Sequence, residues 1–246
     1  VARLGTEAAK RCTDKFVKPN ALVFESVKLT SIFMKKKRYG SLEIEGVEPG
    51  ETLKEARARA DIVPKGLESK RRDNAKIGSE TQTQVLEQVL RHENVEEAVR
   101  IVKQVIEDIN MDRVDMSKYI ISKGLSKTEE QYEKGGSKLQ HTELRKRIKA
   151  RSAQTGEVVP QTGDRVPFII VAGLGKKGKK HASKAFEMSE DPVYAQLNGV
   201  PINTAYYIEK QVMSATLRIF TGIWEPEKLP EIKSSMSETK LETFQA

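Results

Sequence analysis

Gly173-Leu174-Gly175-Lys176-Lys177-Gly178 is the segment whose spacing comes nearest to a known chemical device. It fits G-x-G-x-x-G behind a strand-like run, the pattern in which backbone N–H groups cradle a pyrophosphate. The same residues nearly spell a phosphate-binding loop, Gly173-x-x-x-x-Gly178-Lys179. Lys180, however, stands where Ser or Thr must offer a hydroxyl to magnesium. Five lysines between Lys176 and Lys184 favour a basic, flexible loop over either site. Asp112-x-x-Asp115 is a conceivable metal pair, but it falls where a helical pattern ends, and turn and cap chemistry accounts for both acids. The three histidines, His92, His141 and His181, have no ligand spacing. Cys12, the one cysteine, excludes a disulfide framework or a cysteine-built zinc site and points to a reducing compartment. No nucleophile–base pair stands out.

What remains is charge. The chain carries 43 Lys+Arg against 35 Asp+Glu, a net charge of +8. The cations gather in four runs: Lys35-Lys36-Lys37-Arg38 beside Tyr39, Lys65…Lys70-Arg71-Arg72…Lys76, Arg145-Lys146-Arg147…Lys149…Arg151, and Lys176–Lys184. One such run usually means a solvated face. Four in one chain point to a polyanionic partner. The first run is the sharpest, because its lysines stand at a strand end next to an aromatic residue.

The elements that must carry these runs follow from periodicity. Residues 1–20 read as the end of a helix closed by Pro19. Residues 21–45 read as strands, with a hairpin or bulge at Tyr39-Gly40. Ser79-x-x-Gln82 and Asn94-x-x-Glu97 are capping patterns ahead of two helices. The second helix aligns Val95, Ala98, Val99, Val102, Val105, Ile106 and Ile109 on one face, a core stripe. A strand over 117–125 precedes a helix over about 139–150, and from Lys134 to Arg151 seven Lys/Arg face one Glu. A buried strand over 166–172, a short helix opened by Asp191-Pro192 and closed by Gly199, and an amphipathic helix from about Asn203 to Phe220 complete the pattern. No stretch approaches the ~20 apolar residues of a membrane span. The chain starts Val1-Ala2-Arg3 and reads as part of something longer, or as processed; residues 225–246 read as a polar, disordered tail.

Leu22-Val23-Phe24-Glu25 followed by Lys36-Lys37-Arg38-Tyr39 opens a series of seven stretches that in order resemble family B DNA polymerases, closest to the delta-type branch and its viral relatives, a family with a Leu-Glu-Phe-Glu strand and a Lys-Lys-Arg-Tyr motif. Gly66-Leu67-Glu68 with Arg71-Arg72-Asp73-Asn74, and then Asn110–Lys123, resemble the next two. His141…Leu144…Arg147-Ile148 and Gly163-Asp164-Arg165-Val166-Pro167-Phe168 look like its thumb. Ser189-Glu190-Asp191-Pro192, and Pro201-Ile202-Asn203 through Phe220, look like its last helices. The likeness covers roughly residues 5–222. There are departures: no Tyr-Gly-Asp-Thr-Asp occurs, Val23 replaces the first acid of Leu-Glu-Phe-Glu, and no cysteine-rich module follows.

The resemblance implies an α+β fold: the C-terminal edge of a polymerase palm with antiparallel strands over 1–62, then a mainly helical thumb with a small sheet over 63–224. It implies template-directed nucleotidyl transfer in DNA replication, with Mg and the principal metal ligands outside this chain, which alone would be inactive. Primer–template DNA, dNTP, the remaining polymerase polypeptide and a sliding clamp are the partners so implied, in the nucleus or at a viral replication site. Glu25 becomes an accessory acid near the metals, or else a carboxylate paired with a neighbouring lysine. Lys36 and Lys37 become minor-groove readers, and Tyr39 a neighbour of the primer end; Arg38 either contacts DNA or pairs with an acid. Arg71, Arg72 and Asn74 become a phosphate clamp, with Asp73 orienting the arginines. His141, Arg145, Arg147 and Arg165 become contacts along the primer-strand backbone. Two alternatives stand beside this: a non-enzymatic basic nucleic-acid-binding module, and a nucleotide-dependent enzyme built on the Gly173–Gly178 loop.

Overall fold

The computed structural model describes residues 1–46, 50–70, 72–136, 138–172, 184–224, 226–228, 230–231 and 233–234. The glycine-rich loop of 173–183 and most of the 225–246 tail lie outside them. The fold is α+β, helices packed on two small antiparallel sheets.

Helix α1 (Ala2–Thr13) comes first and buries none of its residues. Residues 21–26, expected as strand, belong to no strand; strand β1 begins at Val27 and runs to Lys35. It pairs with β2 (Arg38–Ile44), and β2 pairs in turn with β3 (Asp61–Lys65). The hairpin apex is Lys36–Lys37, three residues before the expected Tyr39-Gly40, because Lys35 pairs with Arg38 and Tyr39 already faces Phe33 across the ladder. Lys37 takes the left-handed backbone such a tight turn demands, φ 62°. Ile32, Leu42 and Ile44 point to the buried side of this sheet. Between β2 and β3 lies α2 (Leu53–Arg59), opened by a Thr52–Glu55 capping box.

Helix α3 (Lys76–Leu90) is the hub. It packs on α4 (Val95–Asn110), on the first sheet and on the last helix. Ser79 and Gln82, expected as its cap, lie inside it instead. Its start is set by a distant group: the Ala75 N–H donates to Gln211 Oε1 at 2.9 Å. Gly78 lets the helix touch the Gln211 backbone, where a Cβ would stand 2.6 Å from the carbonyl oxygen. Helix α4 matches expectation. Asn94 caps it by accepting from Glu97 N at 2.9 Å, and Ala98, Val102, Ile106 and Ile109 are buried. Each large aliphatic side chain so buried contributes about 1.5–3 kcal/mol.

The second sheet joins β4 (Ile121–Gly124), β5 (Arg165–Ile170) and β6 (Ser189–Glu190). Helices α5 (Glu129–Lys134) and α6 (Gln140–Thr155) lie between β4 and β5 in sequence. α6 runs five residues past its expected end, to an αL cap at Gly156. Helix α7 (Pro192–Leu197) is capped by Asp191, as its sequence implies. The last helix is one continuous rod of three parts: α8 (Thr204–Tyr206), a π-helical turn (Tyr207–Met213) and α9 (Ser214–Phe220). Buried Tyr207 in the π turn donates to Tyr119 O at 2.9 Å and accepts from Ile170 N at 2.8 Å, tying the rod to the second sheet. Among the described residues no helix is long and apolar enough to cross a membrane.

Candidate nucleic-acid interface

The cations sort by what they touch. At the β1–β2 apex, Lys36 and Lys37 are exposed, and Arg38 and Tyr39 are half-buried behind them. Among the described residues Lys35, Lys36, Lys37 and Arg38 have no acidic partner. The turn is braced from behind by Gly66, whose missing Cβ makes room for the Lys37 carbonyl. Next to Gly66, Glu68 receives Arg218 of α9 in an ion pair and Gln82 of α3 in a 2.9 Å hydrogen bond. Gln82, fully buried, also donates to Ala215 O and accepts from Ser69 N, each at 2.9 Å. Burial, and then the Arg38 cation, lower the proton affinity of Arg218.

The Tyr39 ring lies between Phe33, 5.8 Å away between centroids, and Lys28 Nζ, 5.7 Å from the ring centre. Lys28 also pairs with Glu43, which accepts from Ser26 and Ser41 as well. Burial by itself would raise the Glu43 pKa, but these donors together hold it down at about 2.

A second group of cations lines two clefts that share Arg72. One cleft, about 550 Å³, is walled by Ser69, Arg72, Asn74, Lys76, Ser117 and Ser122 among others. The other, about 660 Å³, is walled by Arg72, Asp73, Lys123, Ser126, His141 and Arg165 among others. Arg72, Asn74, His141 and Arg165, widely separated in the chain, therefore converge. Arg72 and Lys76 are exposed and have no acidic partner among the described residues. The Arg165 guanidinium donates through Nε to Ser122 Oγ at 3.1 Å and through Nη2 to the Ser122 carbonyl oxygen. His141 is 5% exposed and its Nδ1 has no hydrogen-bond partner. Burial and then the nearby Lys123 cation lower its pKa, so it is neutral at pH 7. A cleft with several cations, ring nitrogens, hydroxyls and one carboxylate suits a phosphodiester.

Helix α6 is different. Arg145 donates to Glu129 at 2.8 Å and to Pro160 O at 2.7 Å. Lys146 and Lys149 pair with Glu133 and Glu129. Arg151 joins Glu157 at 2.6 Å and buried Glu190 at 3.0 Å, and lies 3.8 Å over the Tyr194 ring. Arg147 donates to the Glu187 carbonyl and to Ser189. The basic run of α6 thus stitches the fold, and its charges are matched by acids and carbonyls from other segments. Arg145 and Arg147, expected along a DNA backbone, are occupied in this way, while His141 on the same helix faces the cleft.

Other expected residues stand apart. Glu25 is exposed in the 21–26 segment, and among the described residues it has neither an ion-pair partner nor a cluster of acids around it. Arg71 lies outside the described residues. Among the described residues no three His, Cys, Asp or Glu are placed to hold a metal ion. Lys76, Lys123 and the cleft serines were not singled out from sequence; Lys76 and Lys123 close two of the stretches quoted above, and that was their only signal.

Comparison with known proteins adds the following. The model of DNA polymerase family B matches residues 1–223. The DNA polymerase delta catalytic subunit of Oryza sativa subsp. japonica is 38% identical over 221 residues, 90% of this chain and 18% of that protein. That of Drosophila melanogaster is 36% identical over 220 residues, 89% of this chain and 18% of that protein. The chain thus spans under a fifth of the length of these relatives. Among solved structures, the family B DNA polymerase from the hyperthermophilic archaeon Pyrobaculum calidifontis superposes with a TM-score of 0.55 at 26% identity, over 77% of this chain and 21% of that one.

Proposed function

This chain belongs to DNA polymerase family B, and from that premise we propose that it is the part of a DNA-directed DNA polymerase that grips the primer–template duplex. Residues 1–62 serve as the edge of the palm and 63–224 as the thumb. The observation that carries this is the division of the cations: those of α6 are matched within the fold, whereas, among the described residues, Lys36 and Lys37 at the apex and Arg72 and Lys76 in the clefts have no acidic partner. Unmatched cations at fixed positions are what a phosphate backbone recruits.

At the apex, Lys36 and Lys37 donate to purine N3 and pyrimidine O2, acceptors that every correct pair presents in the minor groove. Such contacts are blind to sequence and sensitive to mispairing. In the clefts, Arg72, Asn74, Lys76, Lys123 and Arg165 hold consecutive phosphates, and neutral His141 offers a ring nitrogen. Arg145 and Arg147 hold α6 in place, so that His141 keeps its position.

Divalent metal, magnesium in our reading, would supply the Lewis-acid chemistry of nucleotidyl transfer in the complete polymerase. The described residues do not form a site for it, and its ligands and the dNTP site belong to the remaining polymerase polypeptide. The exposed apolar side chains of Leu4, Phe16, Val17, Leu22 and Val23 give that polypeptide a surface to cover. The setting is replication in the nucleus or at a viral replication site, with a sliding clamp as a further partner.

The experiment is a titration of the chain with a primer–template at several salt concentrations. The expected result is weak, steeply salt-dependent binding that prefers the junction over single strands or RNA, without nucleotide incorporation until the rest of the polymerase is supplied. Equal binding to every nucleic acid, or none, would sink the reading.

A further inference from the structure

Phe33 has no part in the grip described so far, yet it is 70% exposed on the edge strand that leads to the cationic apex. Its chain neighbour Ile32 is buried on the opposite side of the sheet. Phe33 faces Tyr39 across the ladder, with the rings 5.8 Å apart and inclined at 36°. Lys28 covers the Tyr39 ring on another side, 5.7 Å from its centre. The result is a small apolar wall of two rings beside lysines that lack acidic partners among the described residues. Lone exposed aromatics are ordinary. A ring pair flanking a cationic turn calls for a ligand that alternates charge with apolar surface.

The minor groove of duplex DNA has that profile. Its rims are phosphate, its floor carries base acceptors, and its walls are the C–H faces of deoxyribose. Lysines long enough to reach the floor bring the rings at the base of the hairpin against a wall. A ribonucleotide strand would place a 2′-hydroxyl in the wide minor groove of an A-form helix. Pressed on an aromatic ring, that hydroxyl loses water and gains no partner.

Resting on the reading of this hairpin as a duplex grip, we propose that Phe33, backed by Tyr39, is the wall on which deoxyriboses of the bound duplex pack, and that it makes the grip selective for DNA over ribonucleotide-containing duplex. Nothing in the ion-pair network depends on Phe33, so the contact is separable from folding and from charge.

The test uses the whole chain, an all-DNA primer–template, and the same duplex with ribonucleotides in the primer strand. The wild-type chain is expected to favour the all-DNA duplex by roughly tenfold, the consequence of one desolvated hydroxyl. Phe33→Ala and Phe33→Ser are expected to shrink that preference to about twofold or less, at an unchanged salt slope and melting temperature, while Phe33→Trp keeps it. A preference that survives in both Phe33→Ala and Phe33→Ser, or one absent from the wild type, overturns the proposal and leaves the grip standing. Lack of salt-dependent binding to the all-DNA duplex by the wild type would overturn the grip itself.

Discussion

Gly66 sits directly behind the Lys37 carbonyl, at φ 68°, in space that a side chain would need. The loop after β3 thereby supports the hairpin apex from its inner side. Both residues are in left-handed backbone, and only one of them is glycine. Gly66→Ala should therefore suffer twice, from the αL penalty of about 1–2 kcal/mol and from collision with backbone. The expected outcome is a melting temperature roughly 4–8 °C lower and weaker duplex binding. A variant that melts and binds like wild type would mean the apex is not supported from there.

Matched and unmatched cations should separate in one salt titration. Arg72→Ala and Lys36→Ala are each expected to reduce the log–log salt slope for duplex binding by about 0.9. Arg145→Ala should leave the slope alone and instead destabilise the fold by about 1–3 kcal/mol, because Pro160 O loses its donor and Glu129 keeps only Lys149. The reverse pattern would return α6 to the DNA interface.

Gln82 joins three segments through one buried amide. Gln82→Ala strands the Ser69 N–H and the Ala215 carbonyl and should lower stability by about 2 kcal/mol in denaturant unfolding. Gln82→Glu is expected to be worse at pH 7 than at pH 4, since it sets a second carboxylate against Glu68. Equal unfolding midpoints for all three proteins would refute the cross-link.

Glu43 makes stability depend on acid. Its folded pKa of about 2 lies below its ordinary value of 4.5, so the unfolded chain takes up the proton first. The stabilisation is complete above about pH 4.5 and should fade as pH drops toward 2. Glu43→Gln should flatten that part of the pH–stability curve. A curve of unchanged shape in the variant would show that other carboxylates govern it.

Much of this was written locally, and what was not has identifiable causes. The α4 helix was legible because Asn94 and seven apolar residues spell cap and stripe within sixteen positions. α3 was misplaced by one turn because its first N–H is satisfied by Gln211, far along the chain. α2 and β3 were missed: Thr52-x-x-Glu55 is a capping box over a very short helix, and Pro64 disguises a strand that it can occupy only at the sheet edge. The hairpin was expected at Tyr39-Gly40 on the strength of its glycine, whereas the turn closes on Lys37 in an αL conformation that residue type does not advertise. The α6 charges misled for the opposite reason. Sequence displays a run of cations, but Glu129, Glu133, Glu157 and Glu190 that neutralise it arrive from other elements.

The π turn of Tyr207–Met213 has a consequence for the grip. It supplies Gln211 to the start of α3 and Tyr207 to the second sheet, while α9 beyond it supplies Arg218 to Glu68. Hairpin support, hub helix and cleft wall thus share one strut. If the apex and the clefts both touch the duplex, as proposed, the two contacts rest on that one rod. A duplex of the wrong shape would then satisfy one contact and miss the other.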